Sequence, residues 1–372
     1  MADTALTVVG AGVVGLAVAA RLAPRFPGLV ILERRERHGT ETSSRNSEIV
    51  HAGFYHPTGS LKSRLCVRGK ELLYEACECD GIPHRRIGKL VVATTSEDEP
   101  ELERLLELGK ANGVELTRLS GEECHRLEPH VAAVAGLHSP STGIVSADTL
   151  MDVLLRQARA AGAHLQARAE LVGLERRDRD YRLAIRTPDG TEEFTSERVV
   201  NAAGLESDTI AALAGIYVDE AGYRLHWWKG QYFAVSGAKR RIVSRIVYPI
   251  PRVDAIITGH HAIVGLDGRL RFGPDAEHRP DRTLDYTVDE SKRAAFGESV
   301  RRLVPGIGDE DLSPDLAGMR AKLQGPGEGF RDFVVAEESG RGRPGLVDLV
   351  GIDSPGLTSA LALAEEVDRL LP

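Results

Sequence analysis

The hydrophobic pattern at the start of the chain predicts a strand, a tight turn, a helix and a second strand. The segment ALTVVGAGVVGLAVAARLA opens with a β-branched run, passes Gly10, Gly12 and Gly15, and continues as an Ala/Leu-rich stretch. After a Pro-Gly turn the chain resumes as LVILE, a short apolar run that ends at Glu33. This βαβ order is typical of a dinucleotide-binding unit.

Further along, helical spacing and strand alternation follow each other without a fixed repeat. Apolar residues at helical spacing predict amphipathic helices over 100–114 and 146–163. Alternation over 164–198 predicts a β-meander that leads into a buried strand at Val199–Ala202. The other predicted elements are a β-rich region and a closing strand, glycine turn and helix, at 224–275 and 345–372.

This order of elements predicts an α/β fold. We expect a discontinuous Rossmann-like nucleotide-binding domain with an inserted antiparallel β-sheet domain over the substrate, because no low-complexity linker separates the two parts. The nucleotide-binding segments are predicted at 1–80, 144–215 and 315–372. The substrate-domain segments are predicted at 81–143 and 216–314.

Composition describes an ordinary globular protein without an electrostatic signature for nucleic acid. Hydrophobic residues make up 42%, charged residues 27%, and the formal net charge is −8. No uncharged apolar run reaches the roughly 18 to 20 residues that span a bilayer. The apolar run from Leu6 to Leu22 is broken by glycines and lacks a basic leader. We expect a cytoplasmic protein that binds no nucleic acid, with peripheral contact at the inner face of a membrane left open.

The four cysteines do not predict a metal site. Only Cys77 and Cys79 lie close in sequence, and no second pair completes a tetrahedral ligand set. We therefore expect reduced, partly buried thiols and no bound metal.

The three N-terminal glycines have a mechanical reason if a dinucleotide binds. They allow a tight turn, close approach of backbone to pyrophosphate and close packing of helix on sheet, while Glu33 lies where an acidic side chain accepts hydrogen bonds from a ribose. A glycine turn without a ligand is the plainer alternative. Additional glycine turns in VVNAAGL and in SPGLTSALALAEEV favour FAD over a nicotinamide cofactor, because a flavoprotein must hold a whole isoalloxazine.

Together these motifs resemble the D-amino-acid-oxidase-like FAD oxidoreductases. The resemblance rests on the glycine turn with Glu33 and on SSRNSEIVHAG, GIVSADTL, VVNAAGL, KGQYF, RFGPDAE, GMRAKL and SPGLTSALALAEEV, in the family's order. Within that superfamily the chain is most similar to the L-2-hydroxyglutarate dehydrogenases and oxidases. The resemblance implies a discontinuous FAD domain, with an antiparallel sheet that roofs the substrate pocket.

The motifs and the resemblance together name a set of residues expected to hold FAD. Residues 355–358 open the last helix, whose unpaired N–H groups would favour the negative charge of reduced flavin. Val172 is expected to contact the adenine side through its backbone. The expected cofactor residues are Gly10, Gly12, Gly15, Glu33, Arg34, Ser44, Arg45, Asn46, Val172, Ala203, Gly204, Pro355, Gly356, Leu357 and Thr358.

Oxidation of a 2-hydroxy acid requires a base for the hydroxyl proton, and histidine titrates in the useful range. The resemblance puts His51 over the flavin and aligns His261, rather than His260, with the family's recurring Gly-X-His. A hydrogen-bonded structural histidine is the plainer alternative for each. Arg320 in GMRAKL is the candidate partner of a substrate carboxylate, since a planar guanidinium forms bidentate pairs. Weaker pocket candidates are Tyr55, Tyr248 and Lys229.

Two departures from the family keep the substrate open. The family commonly has two adjacent tyrosines where this chain has Tyr55-His56, and a threonine after Gly-X-His where this chain continues with Ala262. The leading hypothesis is oxidation of L-2-hydroxyglutarate, or a related hydroxy acid, with electrons passed to a quinone, another carrier or oxygen. The alternatives are a glycine- or sarcosine-type amine or amino-acid oxidase, and a flavin-binding subunit that acts through a partner.

Overall fold

The predicted βαβ unit is present in the computed structural model of the protein, which describes residues 2–250 and 260–371. Strand β1 covers Thr4–Val9, helix α1 covers Val13–Leu22 and strand β2 covers Val30–Glu33. Strands β1 and β2 pair in parallel, and one face of α1 is buried in the core. The N-terminal prediction is confirmed, because β-branched runs and an Ala/Leu-rich run separated by glycines leave little conformational choice.

The first sheet has eight strands and carries this unit at its centre. Its parallel strands follow the order β9-β2-β1-β12-β20, with β19 antiparallel at the edge. The hairpin β10-β11 continues antiparallel from the first half of β12, which confirms the predicted meander. The additional strands are β9 (His164–Ala167), β10 (Glu170–Arg176), β11 (Tyr181–Thr187), β12 (Gly190–Asn201), β19 (Val334–Glu338) and β20 (Arg343–Val350).

The second sheet has nine strands, in the order β17-β13-β16-β15-β14-β5-β7-β6, with β18 also paired to β13. Among its described pairs, only β5 with β14 is parallel. Its strands are β5 (Lys89–Ala93), β6 (Thr117–Ser120), β7 (Ala135–Ser139), β13 (His226–Val235), β14 (Ile246–Pro249), β15 (His261–Val264), β16 (Leu270–Gly273), β17 (Glu277–His278) and β18 (Leu312–Lys322).

Helices pack on both large sheets, and Phe296 of the α7 helix packs with Phe233 and Phe272 of the second sheet. The predicted helices at 100–114 and 146–163 are confirmed as α3 and α5, and the closing helix is α8. A three-stranded sheet, β3-β8-β4, joins the two parts through Ile49–Val50, Gly143–Val145 and His84–Arg85. The other helices are α2 (Leu61–Asp80), α3 (Glu99–Ala111), α4 (Gly121–Leu127), α5 (Ala147–Ala160), α6 (Ser207–Leu213), α7 (Arg293–Leu303) and α8 (Gly356–Leu370).

One predicted domain boundary falls inside a strand of the structure. The boundary placed at 315 falls inside β18, and residues on both sides of it pair with β13 of the second sheet. The division into segments stays a prediction. In the part of the chain that the structure describes, no helix is long and apolar enough to cross a membrane.

One face of the second sheet lies against the segment that follows β3, and we call it the pocket face. Cross-strand partners share a face, as do residues two apart on one strand. The recorded registers therefore place side chains from six strands on this face. They belong to Lys89, Val91, Tyr232, Ile246, Tyr248, His261, Ile263, Arg271 and Arg320. Phe54 and Ala52, from the loop after β3, pack against its apolar members.

Candidate functional site

The turn between β1 and α1 has room for backbone alone. Gly10 has φ +102°, and a β-carbon there would lie 2.5 Å from the Ala202 carbonyl oxygen. A β-carbon on Gly15 would overlap the Gly10 carbonyl oxygen, so α1 can approach β1 only with glycine at this position. At Gly12 a β-carbon would lie 3.0 Å from the hydroxyl oxygen of Ser43. The three glycines thus serve the turn, the helix packing and the approach of the neighbouring loop.

The first turn of α1 is free of competing negative charge. Its N-cap, Gly12, makes no side-chain cap, and no acidic residue lies in the first turn. The N–H of Val13 donates to a neutral group, the Ser43 hydroxyl oxygen, at 3.0 Å. A helix start of this kind offers backbone N–H groups and a partial positive charge to a phosphate.

A cavity of about 230 Å³ lies beside this turn, and Glu33 is among the residues that line it. Each Glu33 carboxylate oxygen accepts one backbone N–H, from Ala11 at 3.0 Å and from Arg35 at 2.8 Å. A carboxylate oxygen accepts two hydrogen bonds, so both retain an acceptor site. The structure brings several predicted cofactor residues to the lining of this cavity: Gly10, Gly12, Glu33, Arg34, Ala203 and Gly204.

Arg34 lines the cavity, whereas Val172 does not. The Arg34 guanidinium is held by Glu41 at 2.8 Å and by Glu206 at 3.4 Å. The lining reaches Leu171 but does not include Val172, which lies where β10 shifts register against β11. The adenine contact of Val172 therefore stays a prediction.

In the loop after β2, two of the predicted cofactor residues form hydrogen bonds within the loop, and the third keeps a free donor. The Ser44 hydroxyl donates to the Glu41 carbonyl oxygen at 3.2 Å. The Asn46 amide nitrogen donates to the Ser43 carbonyl oxygen, and its amide oxygen accepts from the Glu48 N–H, both at 2.7 Å. Arg45 differs: its guanidinium lies 4.0 Å from the centre of a tyrosine ring, and its buried Nε has no hydrogen-bond partner among the described residues.

The start of α8 is tied to the loop that carries His51. The Thr358 hydroxyl accepts the N–H of His51 at 3.0 Å and lies 3.2 Å from the Ile49 carbonyl oxygen. The N-cap, Pro355, makes no side-chain cap, and no acidic residue follows in the first turn. Gly356 and Leu357 open this helix. FAD is a long molecule that a protein must hold at several points. The glycine turn with its cavity, the unpaired Nε of Arg45 and the start of α8 are suited to be three of them.

His51 is half-buried, and its ring Nε2 lies 3.5 Å from the Ser354 hydroxyl oxygen. Burial lowers the pKa of His51 well below 6.5, and the nearby Lys89 ammonium lowers it further. The imidazole is therefore neutral at pH 7 and can accept a proton.

His261 and His260 point to opposite sides of the sheet, as adjacent residues of an extended chain do. His261 lies on the pocket face and stacks on Tyr248, with ring centres 3.4 Å apart and 9° between planes. Burial lowers its pKa well below 6.5, and nearby Lys89 adds to the effect. His260 instead stacks on Phe296 at 3.7 Å, and burial lowers its pKa to about 4. The structure thus brings His261, and not its neighbour, to the pocket.

The two predicted tyrosines lie together on this side of the sheet. The rings of Tyr55 and Tyr248 stack with centres 6.1 Å apart, and burial raises both pKa values above the usual value of 10. The Tyr55 hydroxyl is buried and has no hydrogen-bond partner in the described part of the chain. The side chain of Asn112, at the end of α3, donates to the Gly53 and His56 carbonyl oxygens and so fixes the loop.

Arg320 reaches the pocket face, whereas Lys229 does not. One Arg320 nitrogen donates to the Asp275 carbonyl oxygen at 2.8 Å, and its buried Nε has no partner among the described residues. On β18 and β13, Arg320 pairs with Trp228, so the next residue, Lys229, faces the other side. There its ammonium forms an ion pair with Asp285. The prediction that Lys229 contacts substrate or flavin is not supported, because strand alternation turns it away.

Sequence reasoning missed Lys89, the first residue of β5. Its side chain is fully buried, and its ammonium lies 3.9 Å from the Tyr248 ring centre and 5.0 Å from that of Tyr55. Burial lowers the pKa of Lys89 to about 7. The only signal in the sequence is a lysine that opens the apolar strand KLVVA, which reads as an ordinary exposed strand start.

The described residues contain no group of three or more His, Cys, Asp or Glu side chains arranged to hold a metal ion. The four cysteines are free thiols; Cys66, Cys77 and Cys124 are buried and Cys79 is exposed. Burial raises the pKa of Cys66 to about 12, so this thiol stays protonated beside the His51 carbonyl oxygen.

Comparison with known proteins gives consistent matches. The family model described as DAO, FAD dependent oxidoreductase, matches residues 5–370. The mitochondrial L-2-hydroxyglutarate dehydrogenase of Arabidopsis thaliana is 38% identical over 97% of this chain and 82% of its own length, and that of Mus musculus is 31% identical over 96% and 86%. Among solved structures, the FAD-bound L-alpha-glycerophosphate oxidase of Mycoplasma pneumoniae has a TM-score of 0.87 and 25% identity, covering 99% of this chain and 94% of its own.

Proposed function

Because this chain belongs to the DAO family of FAD dependent oxidoreductases, we propose that it oxidises L-2-hydroxyglutarate, or a closely related L-2-hydroxy dicarboxylic acid, to the 2-oxo acid. The observation that carries the proposal is a neutral His51 beside a sheet face that carries the cationic side chains of Lys89 and Arg320. The names of the two dehydrogenase relatives support the same substrate.

The cofactor is FAD, and the residues that would hold it lie at three places. Gly10, Gly12, Gly15 and Glu33 surround the turn and the cavity, with Arg34, Ala203 and Gly204 beside them and Val172 next to the lining residue Leu171. Ser44, Arg45 and Asn46 form the second place, and Pro355 to Thr358 the third. When bound, FAD supplies the acceptor for the hydride that leaves C2 of the substrate.

His51 takes the proton of the substrate hydroxyl in this proposal. A base must be unprotonated before it acts, and burial together with the Lys89 charge keeps the imidazole neutral at pH 7. The hydrogen bond from its backbone to Thr358 fixes the residue against the start of α8. His261, stacked on Tyr248, forms the floor of the pocket and contacts the substrate from the sheet side.

Arg320 binds the carboxylate next to the reacting carbon. One of its nitrogens is anchored on the Asp275 carbonyl oxygen, which fixes the guanidinium plane, while the buried Nε remains available. A guanidinium held in this way suits a charge-assisted pair with a carboxylate. Tyr55 and Tyr248 line the same space, and the free Tyr55 hydroxyl is a further donor to the substrate.

The electrons then pass to a quinone, another carrier or oxygen. We place the protein in the cytoplasm, with peripheral contact at the inner face of a membrane where the acceptor is a quinone. Turnover of the holoenzyme with a soluble quinone, an artificial carrier or oxygen as sole acceptor separates these three.

Anaerobic mixing tests the function directly. L-2-hydroxyglutarate should bleach the flavin absorbance of the purified holoenzyme, while the D-enantiomer should not. Bleaching by glycine or sarcosine, and not by the hydroxy acid, would instead establish amine oxidation on the same scaffold. Absence of bleaching by every small substrate would favour a flavin-binding subunit that needs a partner.

A further inference from the structure

The structure describes three buried lysines, and they differ in how their charge is balanced. Lys62 forms an ion pair with Asp353 at 2.9 Å, and Lys229 forms one with Asp285. Lys89 is the most deeply buried of the three, yet its Nζ has no hydrogen bond or ion pair among the described residues. An unpaired buried ammonium costs free energy, and aromatic faces offset only part of that cost.

Lys89 shares the pocket face with Arg320, on the other side of His261. Along the part of the sheet that runs β18-β13-β16-β15-β14-β5, Arg320 lies on β18, His261 on β15 and Lys89 on β5. Both cations are near enough to His261 to lower its pKa. A molecule placed over His261 therefore has one cation at each end.

Arg271, a third cation on this face, is already paired with Asp315 at 2.7 Å. Lys89 has no such partner among the described residues, so an anion that balances its charge comes from a ligand. The Tyr55 hydroxyl, also buried and unpaired among the described residues, lies beside Lys89 and can donate to the same anion. Two separated cations with a neutral base near the space between them match a hydroxy acid that carries a carboxylate at each end.

We infer that Lys89 binds the second carboxylate of the substrate, the one far from the reacting carbon, and so sets the preference for dicarboxylic over monocarboxylic 2-hydroxy acids. This inference rests on the proposed function. It separates the two cations by role: Arg320 positions the reacting end, and Lys89 recognises the remote end.

Binding of ligands that do not react tests this role without turnover. Glutarate carries two carboxylates and pentanoate carries one on a chain of the same length, so the two differ only in the remote charge. Dissociation constants are measured from the change in flavin absorbance of the oxidised holoenzyme. Lys89→Met should weaken glutarate binding by about 10- to 100-fold, the range for a charged hydrogen bond, and leave pentanoate within about threefold.

Thermal unfolding without ligand separates this role from a structural one. Lys89→Met removes an unpaired charge, so its Tm should equal or exceed that of the unchanged protein. Lys229→Met breaks an ion pair and should lower the Tm. A lower Tm in Lys89→Met, together with equal weakening of glutarate and pentanoate, would overturn the inference.

Two further outcomes separate failure of this inference from failure of the proposed function. Unchanged glutarate binding with lost turnover would make Lys89 a proton-transfer group and also overturn the inference. If the unchanged protein oxidises no 2-hydroxy acid, yet binds glutarate more tightly than pentanoate in a Lys89-dependent way, the proposed function fails and the recognition of a second carboxylate stands.

Discussion

The nucleotide cavity and the pocket face differ in how far the chain satisfies its own polar groups. In the cavity, the Glu33 carboxylate accepts two backbone N–H groups and the Ser43 hydroxyl accepts a third. On and beside the pocket face, Tyr55, Lys89 and Arg320 each keep a buried polar atom without a partner among the described residues. Buried polar atoms are costly unless paired. The chain itself therefore satisfies most polar groups of the cavity, whereas a bound ligand must satisfy those of the pocket face.

The largest effect is expected from a substitution in the glycine turn beside the nucleotide cavity. Gly15→Ala places a β-carbon against the Gly10 carbonyl oxygen, which is backbone and cannot move aside. We expect loss of bound FAD and of most folded protein, measured by the flavin absorbance of purified protein. Gly340→Ala is the control, since no atom lies within 4 Å of a β-carbon there. A yellow, fully loaded Gly15→Ala protein would show that the turn is not rigid.

The second-largest effect is expected from a change that removes the catalytic base but leaves the FAD-binding residues unchanged. His51→Gln should lower kcat by about 10²- to 10⁴-fold, the usual contribution of a general base, with FAD content unchanged. In the unchanged protein, kcat should fall as the pH drops through the pKa of His51, which lies well below 6.5. Steady-state rates against pH measure both.

The control for His51→Gln is His260→Gln, because His260 stacks on Phe296 behind the sheet. It should keep its rate within severalfold. Equal losses in the two variants would show that any histidine change in this part of the fold disturbs the pocket.

Arg320→Lys separates the charge of Arg320 from its shape, because lysine keeps the positive charge but lacks the planar guanidinium that can pair with a carboxylate through two N–H groups. We expect carboxylate binding to weaken by about 1.5 to 3 kcal/mol, the worth of a charged hydrogen bond. The dissociation constant of a non-reacting carboxylate measures it. An unchanged constant with an unchanged KM would place Arg320 outside the site.

The smallest effect concerns a buried carboxyl in the first sheet. Asp348 is fully buried and its Oδ1 accepts from the Asn201 amide at 2.6 Å; burial raises its pKa to about 7. The folded state therefore holds a proton that the unfolded state releases above pH 4. This contribution to stability is full below about pH 4 and is lost as the pH rises to about 7.

Asp348→Asn keeps the accepting oxygen and removes the titration. Between pH 5 and pH 8 the free energy of unfolding should fall more in the unchanged protein than in the variant, by on the order of 1 to 4 kcal/mol. Urea unfolding at the two pH values measures the difference. Equal changes in both proteins would show that Asp348 does not hold the proton.

Lys229 and Lys89 show where prediction from the sequence reaches its limit. The alternation along KGQYF predicts that Lys229 and its two neighbours in the chain lie on opposite faces of the sheet. It does not predict which face lies toward the cofactor. Lys89 opens an apolar strand, and nothing in its neighbours marks it as buried on all sides. Similarly, the sequence favours His261 over His260 through a family motif, whereas the structure shows the physical reason in the rings against which each packs.

The sequence by itself determined the βαβ unit, the helices at 100–114 and 146–163 and the glycine turn, because periodicity and glycine conformation are properties of neighbouring residues. Only the tertiary structure decided which cations meet His261. Lys89 and Arg320 are distant in the chain and lie on strands that four other strands separate, in a sheet order that no local pattern encodes. Their shared face, and the charge it leaves for a ligand to balance, follow from that order and its register.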